Sequence, residues 1–265
     1  MRKIYFILVL TLLACISCQW HLKPSGDAPN QVTVDRYDRI QSLYLTTGDF
    51  SALQQMNTGY PMQTRTLIED VLQIGRVNDP EINSKFLKFY QDTVLQTIIN
   101  EAEQQYANMD DINKGLTEAF KRLKEELPNV KVPHIYAQIG ALDQSIVVGN
   151  NTLGIALDKY LGSNYPLYLK YYPAYQRSLM TRDMIVPDCL AFYVLSLYPM
   201  IHDNEKTQLE CDMHMAKIQW LVNKVTGQKV FRNKYVSVVS CYMKHHKDIS
   251  VDSLLKDNNY SKFKK

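Results

Sequence analysis

The sequence predicts an α+β fold, predominantly helical with a small mixed sheet. Three observations carry this. Apolar residues recur at spacings of three and four over several long stretches, the mark of amphipathic helices. Short strand-like runs gather between Pro133 and Leu157. The composition is globular, with 46% hydrophobic and 22% charged residues and 10 Gly and 10 Pro in 265. That excludes a disordered tail, a collagen-like fibre or a disulfide miniprotein, and the chain is long enough to bury a core.

Val32 to Asp38 alternates like a short strand. Leu67, Ile68, Val71 and Leu72 place one helical face over 64–76. Ile82, Phe86, Tyr90, Val94 and Ile98, each four apart, predict a single long helix over 80–106. Ile112, Leu116, Ala119, Phe120 and Leu123 predict another over 111–127, capped by Asp110 or Asp111 and stopped by Pro128. Strands follow at 134–139, 145–148 and 153–157. The second and third are paired across Gly149-Asn150-Asn151, which is turn chemistry. A Tyr-rich stretch runs from Asp158 to Tyr175. Helices are then expected over 183–198, with Pro187 tolerated in the first turn, over 206–226, and as a pair within 234–257.

The N-terminus reads as an address. Arg2 and Lys3 precede a run of about ten apolar residues, the form of a secretory signal. The run is shorter than the roughly twenty residues a spanning helix needs. Leu12-Leu13-Ala14-Cys15 looks like a bacterial lipobox, with a small residue before the thiol that accepts diacylglycerol. Cys15 is the favoured acceptor and Cys18 the alternative. The expected organisation is a signal peptide over 1–14, a lipidated Cys and tether over 15–31, and one domain over 32–265. The membrane is then a partner through the lipid anchor, and the domain faces the periplasm. Removing residues 1–14 leaves 28 basic against 27 acidic residues, a charge of +1. That balance gives no electrostatic case for nucleic acid. The stretch 229–265 is more basic, with nine Lys or Arg against three Asp, and reads as a solvated tail or a contact with anionic envelope polymer.

No metal or cofactor is predicted. The chain has no HExxH, and His245-His246 are adjacent and make a poor chelate. Cys211 and His214 share a helical face but form only half a zinc site. No GxSxG elbow is present, and Gly149–Gly154 lacks the Lys-Ser/Thr of a phosphate loop. Cys189, Cys211 and Cys241 allow one disulfide in three possible pairings, or serve as three packed thiols. Tyr160, Tyr165, Tyr168, Tyr172 and Tyr175 form a candidate binding surface for glycan or peptide; the plainer reading packs them over a core edge. Asp183, Asp188, His134 and His202 are the titratable groups to inspect first for a site. Gly154, Asp158 and Gly162 read as structural: tight backbone at the glycines, a turn cap at Asp158.

Several runs together resemble the gliding-motility lipoprotein GldB family of the Bacteroidetes. They are Val132-Pro-His-Ile-Tyr-Ala-Gln-Ile-Gly140, Ser145-Ile-Val-Val148, Gly154-Ile-Ala-Leu-Asp158-Lys-Tyr-Leu-Gly162, Tyr168 and Tyr172-Pro-Ala-Tyr175. Val34–Asp38, Tyr60-Pro61, Phe120-Lys121, Thr207–Met213 with Lys217, and Tyr260–Lys264 fit in the same order. The likeness covers 32–265 and is strongest over 132–175. One departure is that Trp220 is the sole Trp where such proteins usually carry a Trp-rich segment. The resemblance implies a membrane-anchored envelope lipoprotein, acting with an envelope protein partner as a non-catalytic binding or scaffold component. It brings no catalytic residues. A more distant likeness to zincin peptidases would put Ile185–Leu195 at their active-site helix. Asp188 and Phe192 then stand at the ligand positions, which fits a non-catalytic relative. The alternative is a hydrolase of peptide or glycan with a non-standard site.

Overall fold

Three short strands make one mixed sheet: β1 (His134–Gln138), β2 (Ile146–Gly149) and β3 (Thr152–Ala156). The order is β1-β3-β2, with β3 parallel to β1 and antiparallel to β2. Gly149 pairs with Thr152, so Asn150-Asn151 is a two-residue turn and the expected hairpin is present. Asn151 takes φ 58°, a left-handed conformation that Asn tolerates well. In this computed structural model residues 31–263 are described, apart from His202, and from Val32 onward they form one compact unit. The expected signal peptide, Cys15, Cys18 and the tether up to residue 30 lie outside the described residues, as does His202.

The described residues are mostly helical, as predicted. Before the sheet come α1 (Tyr37–Thr47), α2 (Phe50–Gly59), α3 (Pro61–Arg65), α4 (Ile82–Tyr90), α5 (Thr93–Gln105) and α6 (Asp110–Glu126). After it come α7 (Pro166–Tyr171), α8 (Ala174–Arg177), α9 (Ile185–Leu197), α10 (Gln208–Thr226), α11 (Lys234–His245) and α12 (Val251–Lys256). α1 packs on β1, and α9 packs on β2 and β3. A main core runs through these elements. A smaller one, built from Met213, Ala216, Val236, Val239, Leu254, Tyr260 and Phe263, joins α10 to the two last helices.

Four expectations are corrected. The strand at 32–38 is a single parallel bridge from Asp35 to Tyr136, because the chain turns into α1 at Tyr37. The helix over 64–76 is α3 running into a π-helical stretch, Thr66–Val71. The long helix over 80–106 is two helices. Asp92 accepts the backbone N–H groups of Val94 and Leu95 and so caps a new start at Thr93. For α6 the N-cap is Met109, not Asp110 or Asp111, and Asn108 Oδ1 accepts the Asp110 N–H instead. α9 to α12 agree closely with the reading, whereas α7 and α8 begin in the Tyr-rich stretch, where no helix is expected. α10 begins with a Thr207–Glu210 capping box and ends on Gly227 at φ 72°.

Candidate functional site

Of the residues that chemistry would nominate, Asp158, Asp188 and His134 are held by internal partners, and Asp183 lines a cleft. Asp158 follows β3 and is fully buried. Its carboxylate accepts the N–H of Gly140 at 2.7 Å and of Leu142 at 2.5 Å. Burial pushes its pKa up, and those two backbone donors pull it back down. Ala141 and Leu142 both have positive φ, so the carboxylate braces a strained loop. Asp158 is thus a clamp on a loop sixteen residues back rather than a cap on its own turn. Lys159 Nζ reaches the Leu142 carbonyl at 3.1 Å and the Tyr172 hydroxyl at 3.3 Å.

Asp188, in the first turn of α9, accepts a hydrogen bond from the Tyr160 hydroxyl at 2.9 Å. Burial raises its pKa to about 7 despite that donor. His134 Nε2 lies 2.6 Å from Asp35 Oδ2 across the parallel bridge. Asp183 lines a cleft of about 420 Å³ beside Asp111 and Arg182. Each of these groups has its own separate neighbours. Among the described residues no three His, Cys, Asp or Glu side chains come together as a metal-binding group. The half-site at Cys211 and His214 is dissolved by the ring's own contacts. His214 Nδ1 meets the Tyr260 hydroxyl at 3.1 Å, and Nε2 meets the Tyr198 carbonyl at 2.9 Å. Cys189, Cys211 and Cys241 are all free thiols.

The tyrosine cluster divides. Tyr160 and Tyr168 are buried, which removes them from any binding surface. The Tyr168 hydroxyl donates to the Asp158 carbonyl and accepts the Leu161 N–H at 3.1 Å. Replacing Tyr168 would therefore report on folding rather than on ligand retention. Tyr165 and Tyr172 are half-buried and pack edge-on against Tyr168. Tyr175 is exposed. Gly154 is structural as expected, since a Cβ there would lie 2.7 Å from the end of the Tyr136 ring. Gly162 sits at φ 107° with open space around it, so its need is backbone freedom alone.

The feature that periodicity could not show is a groove of about 980 Å³ beside β2. Its floor and walls include Val148, Asn150, Tyr193, Leu197 and Tyr198, with Asp252 and Lys256 at one side. Among the described residues β2 is an edge strand, with no further strand on its outer side. The other edge differs: Asp35 bonds to Ile135 and Ala137 of β1 and covers it. Tyr193 fixes the groove wall by donating to the Lys131 carbonyl at 2.5 Å. Tyr198 donates to Asp252 at 2.7 Å. Burial and the Asp252 carboxylate both raise the Tyr198 pKa, so this phenol stays a donor.

The family model described as gliding motility protein GldB matches residues 18–234. The chain belongs to the GldB family. Membership places it among envelope-associated, gliding-motility-related lipoproteins. No curated protein and no solved structure matches it. No helix among the described residues is long and apolar enough to cross a membrane. The GldB match ends at 234, where α11 begins, so the likeness read over Tyr260–Lys264 falls beyond it, as does α12. Inside the match, the GldB-like runs meet in space. Asp35 bridges to Tyr136 and pairs with His134, Tyr37 packs against Tyr60 and Tyr136, and Asp158 grips Gly140.

Proposed function

We propose that this protein is a lipid-anchored, non-catalytic binding component of the gliding-type envelope apparatus, with its domain on the periplasmic side. It engages an extended segment of an envelope protein in the groove beside β2. The observation that carries this reading is the pairing of an open strand edge with an adjoining groove. An edge strand has backbone N–H and C=O groups free to accept another strand, and neighbouring pockets for alternate side chains give specificity. The polar residues of the GldB-like runs support it from the other side: Asp35, His134 and Asp158 serve contacts within the fold. The test is a photo-crosslinking residue placed at Leu197 in the full-length protein in cells. An envelope protein captured from Leu197, and lost when Val148→Pro blocks the edge, is the expected result. Capture of the same protein from Val148→Pro would overturn the strand-pairing mode.

A further inference from the structure

The two short helices α7 and α8 carry a surface that the groove reading does not use. Between Lys159 and Arg182 the chain has six Tyr, four Leu and four Lys or Arg, and no Asp or Glu. The apolar members split into two sets. Tyr168 is buried and bonded at its hydroxyl, with Tyr165 and Tyr172 packed on it. Leu169, Tyr171, Tyr175 and Leu179 are 53%, 62%, 70% and 46% exposed. The exposed set thus flanks a packed base. Arg177 bonds to the Ser163 carbonyl at 3.1 Å, and the Gly162 N–H bonds to the Met180 carbonyl, which closes the base.

We propose that this hairpin, Pro166–Leu179, is a foot that seats the domain on an anionic lipid bilayer. Three features on the molecule select that occupant. Tyr rings with apolar bodies and polar tips, beside Leu and Lys, are the side chains favoured at the lipid–water interface. The charge is of one sign, so the foot matches anionic headgroups. The third is position. Arg182, just past the foot, grips Asp111 in the first turn of α6 at 2.6 Å, together with the carbonyls of Gln105 at the end of α5 and Asn108 in the loop between them. The Val34 and Val32 N–H groups bond to Asn113 and Thr117 of the same helix, at 2.9 Å and 3.0 Å. The chain thus enters the domain within two turns of the foot's root, so a tether over 15–31, at up to about 3.3 Å per residue, is long enough for anchor and foot to engage one membrane together. With six and four residues, α7 and α8 are too short to span, so they lie in the interface. The proposal needs only the anchoring of the chain and is independent of what occupies the groove.

The experiment uses full-length acylated protein in vesicles of phosphatidylcholine, with and without phosphatidylglycerol. Tyr175→Trp reports immersion through quenching by brominated acyl chains, after subtraction of the unsubstituted protein, which carries Trp20 and Trp220. Phe50→Trp, at an equally exposed aromatic of α2, is the control for non-specific adsorption. The expected result is quenching at position 175, strongest with phosphatidylglycerol, and none at position 50. Adding Lys170→Glu should weaken that population about fivefold or more, since each basic residue near an anionic surface contributes about 1 kcal/mol. Equal access of aqueous iodide to Trp at 175 with and without vesicles overturns the proposal. So does protection at 175 by envelope glycan or protein while vesicles leave it wet.

Discussion

The loop clamp behind β3 and the staple of the C-terminal helices solve opposite versions of one problem. In the first, a buried anion, Asp158, meets backbone donors at Gly140 and Leu142. In the second, a buried cation, Lys217 of α10, meets backbone acceptors. Its Nζ donates to the Asp257 carbonyl at 2.7 Å and the Leu255 carbonyl at 3.4 Å, and lies over the Tyr260 ring. Both charges are wholly enclosed, and neither has an opposite charge on its own atoms. The difference lies in what removal leaves behind. Buried N–H groups without a partner are rarer than under-satisfied carbonyls, because a carbonyl has two lone pairs. The anion site should therefore be the less forgiving.

Changing Asp158 gives the largest expected effect. Asp158→Ala strands two N–H groups in a loop with two positive-φ residues and should cost about 4 kcal/mol of stability in denaturant unfolding. A loss under about 1 kcal/mol would show that the loop does not depend on the carboxylate.

The cation site sharpens the contrast through pH. Burial lowers the Lys217 pKa to about 8 from an ordinary 10.5. Between those values the unfolded chain holds the proton that the folded one has released, so stability rises with pH in that window. Its full extent is about 3 kcal/mol. The comparison is with Lys217→Met, which fills similar volume without titrating. Measured from pH 8 to 9.5, before exposed tyrosines ionise, the unsubstituted protein should gain on the variant. Parallel curves would mean that Lys217 titrates normally.

The smallest effect tests a polar group held by neither kind of partner. Gln138 is buried at the end of β1, and both its amide atoms lack protein hydrogen bonds. Gln138→Met should raise stability by about 1 kcal/mol, read as a higher unfolding midpoint. A loss of that size would show that the amide has a partner the fold requires.

How far the sequence was legible follows the same division between local and distant causes. The hairpin, α6, α9 and α10 were readable because Asn150-Asn151, Pro128, Pro187 and Thr207–Glu210 act within a few residues. α1 escapes a periodicity reading because it buries Asp38, Gln41 and Ser42 beside Tyr37, which blurs its apolar face. A signal was available there: Gly48 ends α1 at φ 72° and Asp49 caps α2. In 80–106 the spacing of four ran unbroken across the Asp92 cap, so periodicity hid the break. The membership of the GldB family was legible in ordered motifs. The roles of those motifs were not, since Asp35 and His134 are 99 residues apart. The buried fate of Tyr160 and Tyr168 likewise depends on packing that no spacing encodes.

The chain's entry point has a mechanical meaning. Val32, Val34 and Asp35 are held in turn by Thr117, by Asn113, and by the backbone of Ile135 and Ala137. Asp35 runs parallel to β1, so a pull on residues 32–35 directed along β1 meets all of these bonds at once. It loads these bonds together, in shear, instead of peeling them one at a time. Such a load enters the sheet at β1, the strand that α1 packs on, at the edge opposite the groove.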